Sequence, residues 1–181
     1  MKNLFDLTGR VAIITGGYGI LGRNIAKYLC EQGAKVVVLG RSEEQGKALE
    51  AELKQVGEAM FLSCNVLDKV SLEKCREQVL AAYGTVDILL NAAGGNQPGA
   101  TISPDKTFLD LDIEAVRKVV DLNLFGTILP TQVFVPIMAE KGKGAIINFC
   151  SESGLRPLTR VFGYGAAKAA VANYTQYMAT A

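Results

Sequence analysis

The chain has 181 residues, 49% of them hydrophobic, with 19 Lys+Arg against 18 Asp+Glu and a net charge of +1. That suits one domain with a sizeable core, and it shows no basic patch or tail of the kind that binds nucleic acid or a membrane surface. There is no histidine, so Ser-His-Asp triads and His-based metal sites are excluded, and proton transfer falls to Tyr, Lys, Asp, Glu or Cys.

The polar start, MKNLFDLTGR, has no apolar core of a signal peptide, and no apolar run reaches the length of a membrane span. VAII (11–14) reads as a first strand, followed by a glycine-rich turn and a helix from about Leu21 to Gln32, closed by Gly33. KVVVLG (35–40) reads as a buried parallel strand, then SEEQGKALEAELKQVG (42–57) as an amphipathic helix with Ser42 as N-cap. AMFLSCNV (59–66) is a third strand and SLEKCREQVLAAYG (71–84) a third helix. VDILLNAAG (86–94) is a fourth strand running into a loop of small residues. A long helical pattern spans 112–138 and contains Pro130, where a bend is expected. GAIINFC (144–150) is a fifth strand, and 164–181 a final helix. The four cysteines, Cys30, Cys64, Cys75 and Cys150, have no metal-ligand spacing, so no metal is expected, and a reduced, cytoplasmic protein is the natural reading.

This alternation predicts an α/β fold: a doubly wound parallel sheet, Rossmann-like, in three αβα layers, forming a single domain over 1–181. Ligands of such sheets sit beyond the carboxyl ends of the strands. That rule selects Gly16–Gly22, Leu39–Ser42, Asn91–Gly95 and Cys150–Ser153 as the site wall. Glycines after a strand and before a helix let a backbone approach a pyrophosphate, and the helix supplies free N–H groups. At the end of the second strand stands Arg41, and no carboxylate follows until Glu43. Arginine there suits a 2′-phosphate, which favours NADP(H) and leaves NAD(H) open. Tyr164 and Lys168, four residues apart, share a helix face. A phenol is a poor proton donor–acceptor at neutral pH, and a neighbouring ammonium favours its ionised form. Ser151, thirteen residues upstream, falls at the carboxyl end of the fifth strand, where a hydroxyl can hold a substrate carbonyl; Ser153 competes for that role.

TGGYGILG (15–22), NAAG (91–94), DLNLFG (121–126), INFCS (147–151) and YGAAK (164–168) together resemble the short-chain dehydrogenase/reductase family. The resemblance implies that Tyr164 is the catalytic acid/base, with Lys168 assisting it and binding the nicotinamide ribose. Ser151 would orient the substrate carbonyl, and Asn123 would hold a relay water in a local distortion of the long helix. Cofactor contacts would come from Thr15, Gly16, Gly17, Tyr18, Gly19, Ile20 and Gly22. Arg41, Ser42, Asn65, Val66, Asn91, Ala92, Ala93 and Gly94 would complete them. Ile20 stands where the family has a glycine, Asn65 where it has an aspartate, and Cys150 where it has a serine.

A narrower resemblance, to the D-mannonate oxidoreductase (fructuronate reductase) subgroup, rests on TGGYGILG, NAAGGNQPGAT (91–101) and DLNLFGTILPTQVF (121–134). It implies a small anionic sugar-acid substrate, whose carboxylate Arg160 or Arg156 would meet beside Ser151, Ser153 and Tyr164. Gluconate 5-dehydrogenation and 3-oxoacyl reduction are alternatives within the family, and a nucleotide-sensing module without catalysis is one outside it. VFVPIM (133–138) and the final helix are expected to bury poorly within one domain, which points to a homodimer or homotetramer. Family members continue with a strand–helix–strand and a substrate-covering loop, so the chain is expected to lack them.

Overall fold

Runs of β-branched and aliphatic residues form five parallel strands: β1 (Val11–Thr15), β2 (Lys35–Gly40), β3 (Glu58–Ser63), β4 (Ile88–Asn91) and β5 (Ala145–Asn148), ordered β3-β2-β1-β4-β5. The computed structural model describes residues 3–180 of the chain. The helices are α1 (Ile20–Glu31), α2 (Glu43–Leu53), α3 (Lys69–Tyr83), α4 (Ile113–Val120), α5 (Gly126–Glu140) and α6 (Phe162–Met178). The last residue of the expected final helix, Ala181, and the first two of the polar start lie outside the described residues.

Strand alternation sorts the core into two layers. Val11, Ile13, Val37 and Leu39 face α3 and α5, packing on Leu72, Val79, Val133 and Phe134. Ile14, Val36 and Val38 face the other way, against Ala26 of α1 and Leu49 and Leu53 of α2. The central strands are apolar on both faces because helices cover both.

Several expected boundaries moved. α3 starts at Lys69, because the Asp68 carboxylate accepts from the Val70 N–H and caps it. α2 ends at Leu53 rather than at Gly57. The single helix expected over 112–138 is three pieces, α4, a π-turn at Asp121–Phe125 and α5. The described irregularity therefore sits one turn before Pro130, which itself lies buried within α5. The expectation that 133–138 buries poorly is overturned, since Val133, Phe134 and Met138 are core residues beneath the sheet. By length and composition the run Ile113–Glu140 reaches membrane-span dimensions, at mean hydropathy 1.4, contrary to the expectation of no such run. Its α5 part packs on the sheet, and its α4 part packs on Ala100 and Tyr164.

The amino-terminal end of the sheet is tied by charge. The Asp87 carboxylate accepts from the Val11 N–H at 3.0 Å, Lys141 Nζ at 2.8 Å and Arg10 Nη1 at 3.3 Å. Burial alone pushes this carboxyl up, but the Lys141 and Val11 hydrogen bonds outweigh it and hold it below the usual value. A depressed carboxyl stabilises the fold above its unfolded value, near pH 4, and that stability is lost as pH falls through the folded one. Asp87→Asn is therefore expected to lose roughly 1–3 kcal/mol at pH 7. In urea titrations the gap to the parent should shrink below about pH 4, and a gap constant with pH would refute the assignment.

Candidate active site

The chain runs from β1 outward to β3, then returns to β4 on the other side of β1. The loops after β1 and β4 thus face each other across the point where strand order reverses. Gly16 has φ +63°, and a Cβ there would lie 2.9 Å from Ala93 Cα, so both its dihedral and its crowding require glycine. A Cβ on Gly22 would lie 2.7 Å from Gly17 Cα, which lets α1 sit tight against the turn. Gly19 is the α1 N-cap, and no side chain caps that terminus. Its free N–H groups and positive dipole end suit an anion.

A cavity of about 440 Å³ opens here. Of the residues expected at the cofactor, Gly16, Tyr18, Gly19, Arg41, Asn65, Val66, Ala92, Ala93 and Gly94 line it. Thr15, Gly17, Ile20, Gly22, Ser42 and Asn91 stand outside that lining. Thr15 is buried, and its hydroxyl accepts from the Ala93 N–H at 3.1 Å, bracing the two loops. Gly17 faces Val38 and Ile14. Ile20, in the place of a glycine, is 86% exposed at the start of α1. The Ser42 hydroxyl accepts from the Gln45 N–H and caps α2. Asn91 donates from Nδ2 to Thr131 Oγ1 and Asn148 Oδ1, locking β4 to α5 and β5. The Asn65 amide oxygen accepts from the Leu67 N–H at 3.1 Å, which occupies one of its two lone pairs. Gln97, Lys118, Asp121 and Leu122 also line the cavity. The strand-end rule overlooks them, because three of them come from the α4 end and the π-turn.

The residues expected to carry chemistry come from three places, the π-turn, the turn after β5 and α6. Asn123 lies in the π-turn and is fully buried. Its Nδ2 donates to Gly95 O at 2.7 Å and Val119 O at 2.8 Å, and its Oδ1 accepts from the Gly95 N–H at 3.2 Å. The amide therefore pins the loop after β4 to the long helix. Lys168 is 4% exposed on α6. Its Nζ donates to Phe149 O at 2.7 Å and stands 5.6 Å from the centroid of the Tyr164 ring. Burial pushes the ammonium below the ordinary lysine value, against an opposing effect of Cys150. The Tyr164 ring packs on Ala100, Ala115, Val116 and Val119.

Ser151 follows β5, and its Oγ accepts from both the N–H and the Oγ–H of Ser153, at 3.2 and 2.9 Å. Both lone pairs are thus engaged and its own O–H is left to donate. Ser153, the competing residue, is buried beneath it. Cys150 turns its thiol to Lys168 O at 3.3 Å. Arg156 is paired with Glu152. Arg160 has φ +76°, and its carbonyl accepts from the Ile102 N–H at 2.9 Å; its side chain has no ion pair among the described residues. Arg160, Ser151, Tyr164 and Lys168 are not part of the cavity lining.

A parallel sheet whose strand order reverses at a glycine turn, over a helix that no side chain caps and with a buried Lys168 beside a half-buried Tyr164, defines a dinucleotide-binding α/β protein. Residues 10–181 match the family model described as short chain dehydrogenase, and the chain belongs to that family. It is 38% identical over 183 residues to UxuB of Bacillus subtilis (strain 168), an uncharacterised oxidoreductase, covering 96% of this chain and 66% of that one. A solved structure from Haemophilus influenza with bound NAD, provisionally described as a D-mannonate oxidoreductase, superimposes with TM-score 0.92 at 36% identity, covering 98% of this chain and 69% of that one. The F189W actinorhodin polyketide ketoreductase with NADPH gives TM-score 0.86 at 30% identity, over 93% of this chain and 63% of that one. The chain thus spans about two thirds of the length of these relatives.

Proposed function

We propose that the protein is a nicotinamide-dinucleotide-dependent oxidoreductase that interconverts a ketone and a secondary alcohol. The observation that carries this reading is Lys168, a buried ammonium fixed to Phe149 O beside the Tyr164 ring. A buried charge is costly to hold, and this one stands next to a phenol suited to pass a proton. The crevice residues fit a dinucleotide. Gly16 lets the turn after β1 close on the Ala92–Ala93 backbone, the α1 terminus offers free donors to phosphate, and the cavity runs from that turn to the α4 end.

When bound, the nicotinamide supplies or accepts the hydride at the substrate carbon. In the reductive direction Ser151 donates its free O–H to the carbonyl oxygen, with Ser153 orienting it. Tyr164 gives its phenolic proton to the same oxygen as charge builds there, and the positive charge of Lys168 stabilises the phenolate left behind. Asn123 keeps the loop of Gly94 and Gly95 in place beside them.

The finer reading is a sugar acid, D-fructuronate reduced to D-mannonate. It draws on the provisional description of the Haemophilus influenza structure and on the exposed, unpaired Arg160 guanidinium as a carboxylate partner. A 3-oxoacyl-type ketone is the second reading, favoured by the likeness to the ketoreductase. Exposed Phe162 and Tyr177 on α6 leave apolar surface for a second copy, in line with a homodimer or homotetramer. A nucleotide-coupled screen of uronates, aldonates and 3-oxoacyl thioesters, run with both NAD and NADP, tests these readings. Turnover of D-mannonate without turnover of acyl substrates is expected, and the reverse pattern would overturn the sugar-acid assignment.

A further inference from the structure

The end of β2 carries a contact that no local pattern announces. The Tyr18 hydroxyl oxygen accepts from two backbone donors, the Arg41 N–H at 3.0 Å and the Ser42 N–H at 3.1 Å. These two groups open the β2–α2 turn, where a Rossmann sheet meets the adenosine ribose of its dinucleotide. The Tyr18 ring packs on the Ile14–Val38 cluster. It also fills the space over Gly40, where a Cβ would lie only 2.1 Å from Tyr18 Cε1. Gly40 has no positive φ among the described residues. Its missing side chain is explained by the ring, so the two residues form one unit. Tyr18, Gly40 and Arg41 all line the dinucleotide cavity.

We propose that Tyr18 is a specificity-determining residue of this cavity, a plug on the 2′-phosphate subsite that makes the protein take NAD(H) in preference to NADP(H). A 2′-phosphate is a dianion that needs several fixed donors at close range. Here the two fixed backbone donors are spent on Tyr18, whose two lone pairs they fill. Admitting the phosphate to them requires moving the ring off Gly40 and breaking both hydrogen bonds. What remains for the phosphate is the phenolic proton, the Ser42 hydroxyl, whose oxygen caps α2, and the Arg41 guanidinium, none of them a fixed backbone donor. Arg41 is exposed, so its charge acts through screened solvent. A ribose 2′-hydroxyl needs no such donors, and one hydrogen bond from the Tyr18 O–H suffices for it. Arg41 alone thus argues for NADP(H), whereas the fold has already occupied the backbone half of that subsite.

This inference rests on the dinucleotide reading above, and binding rather than turnover tests it. NADH and NADPH are titrated separately into the protein, following nicotinamide fluorescence, for the parent, Tyr18→Phe, Tyr18→Ala and Arg41→Ala. The parent is expected to bind NADH at least ~10-fold more tightly than NADPH, the weight of one or two charge-assisted hydrogen bonds. Tyr18→Phe keeps the ring's packing and frees both N–H groups, and it should narrow that ratio several-fold through tighter NADPH binding. Tyr18→Ala should narrow it further. Thermal melts of each variant confirm that a change in ratio is not a change in folding, and Tyr18→Phe serves if Tyr18→Ala fails to fold. A parent that binds NADPH as tightly as NADH, or a ratio unmoved in Tyr18→Phe, overturns the proposal while leaving the dinucleotide reading intact. A parent that binds neither nucleotide overturns both.

Discussion

Tyr164→Phe is expected to lower turnover by roughly 10²–10⁴-fold, the usual weight of a positioned acid–base group, while NADH affinity and thermal stability stay near the parent's. The reason is that phenylalanine keeps everything about Tyr164 except its oxygen. The ring rests on Ala100, Ala115, Val116 and Val119 in either case. Lys168 holds its place through Phe149 O, independently of the phenol. Only the proton and the charge that Lys168 would stabilise are removed. Steady-state rates on the substrate found by the screen, paired with NADH titration, measure both halves of the expectation. Retained turnover would show that Tyr164 is not the proton donor. Loss of affinity and stability together with turnover would make it a packing residue. Because the proposed roles of Ser151, Tyr164 and Lys168 serve one proton transfer, their single losses should not add.

Asn123→Ala should have a different signature, a loss of stability together with function. The substitution strands the Gly95 N–H, the Gly95 carbonyl and the Val119 carbonyl, which now share one buried amide. A buried backbone group left without a partner costs about 1–3 kcal/mol, so the total should be at least ~2 kcal/mol. Asn123→Asp should be worse, since a carboxylate would face the two carbonyls that Nδ2 now serves. The tie runs between the π-turn and the loop after β4, so the Gly94–Gly95 segment should exchange its amide hydrogens faster in both variants. Urea denaturation and hydrogen exchange measure these effects. A variant within about 0.5 kcal/mol of the parent would behave as a surface site and would end the assignment of a tether.

These two residues differ in how they could be read from the chain. Tyr164 and Lys168 sit one helical turn apart, a local spacing, and their juxtaposition follows from 3.6 residues per turn. Asn123 lies in an apolar run whose π-turn has no mark in residue type, since the extra residue per turn is set by what Asn123 reaches across space. Apolar residues at 133–138 suggested surplus surface, because periodicity cannot tell a helix under the middle of a sheet from one on a subunit face. The structure puts Val133 and Phe134 on Val11, Ile13 and Leu39. In the chain Ser153 competes with Ser151 for one role, and the hydrogen bonds that Ser153 gives to Ser151 Oγ leave the Ser151 O–H as the free donor.

The sequence by itself determined the alternation of strands and helices, the glycine turn after β1 and the presence of the Tyr–Lys pair. Each of these is written in local periods of two or 3.6 residues, or in the steric freedom of single glycines. The tertiary structure alone decided which loops meet and which polar groups are already taken. Gly16 touches Ala93 only because strand order reverses at β1. Tyr18 reaches the backbone of Arg41 and Ser42 only because β2 lies beside β1. Hydrogen bonds are satisfied across space, not along the chain, so an arginine that reads as a phosphate ligand in sequence stands, once folded, beside donors already claimed by a tyrosine.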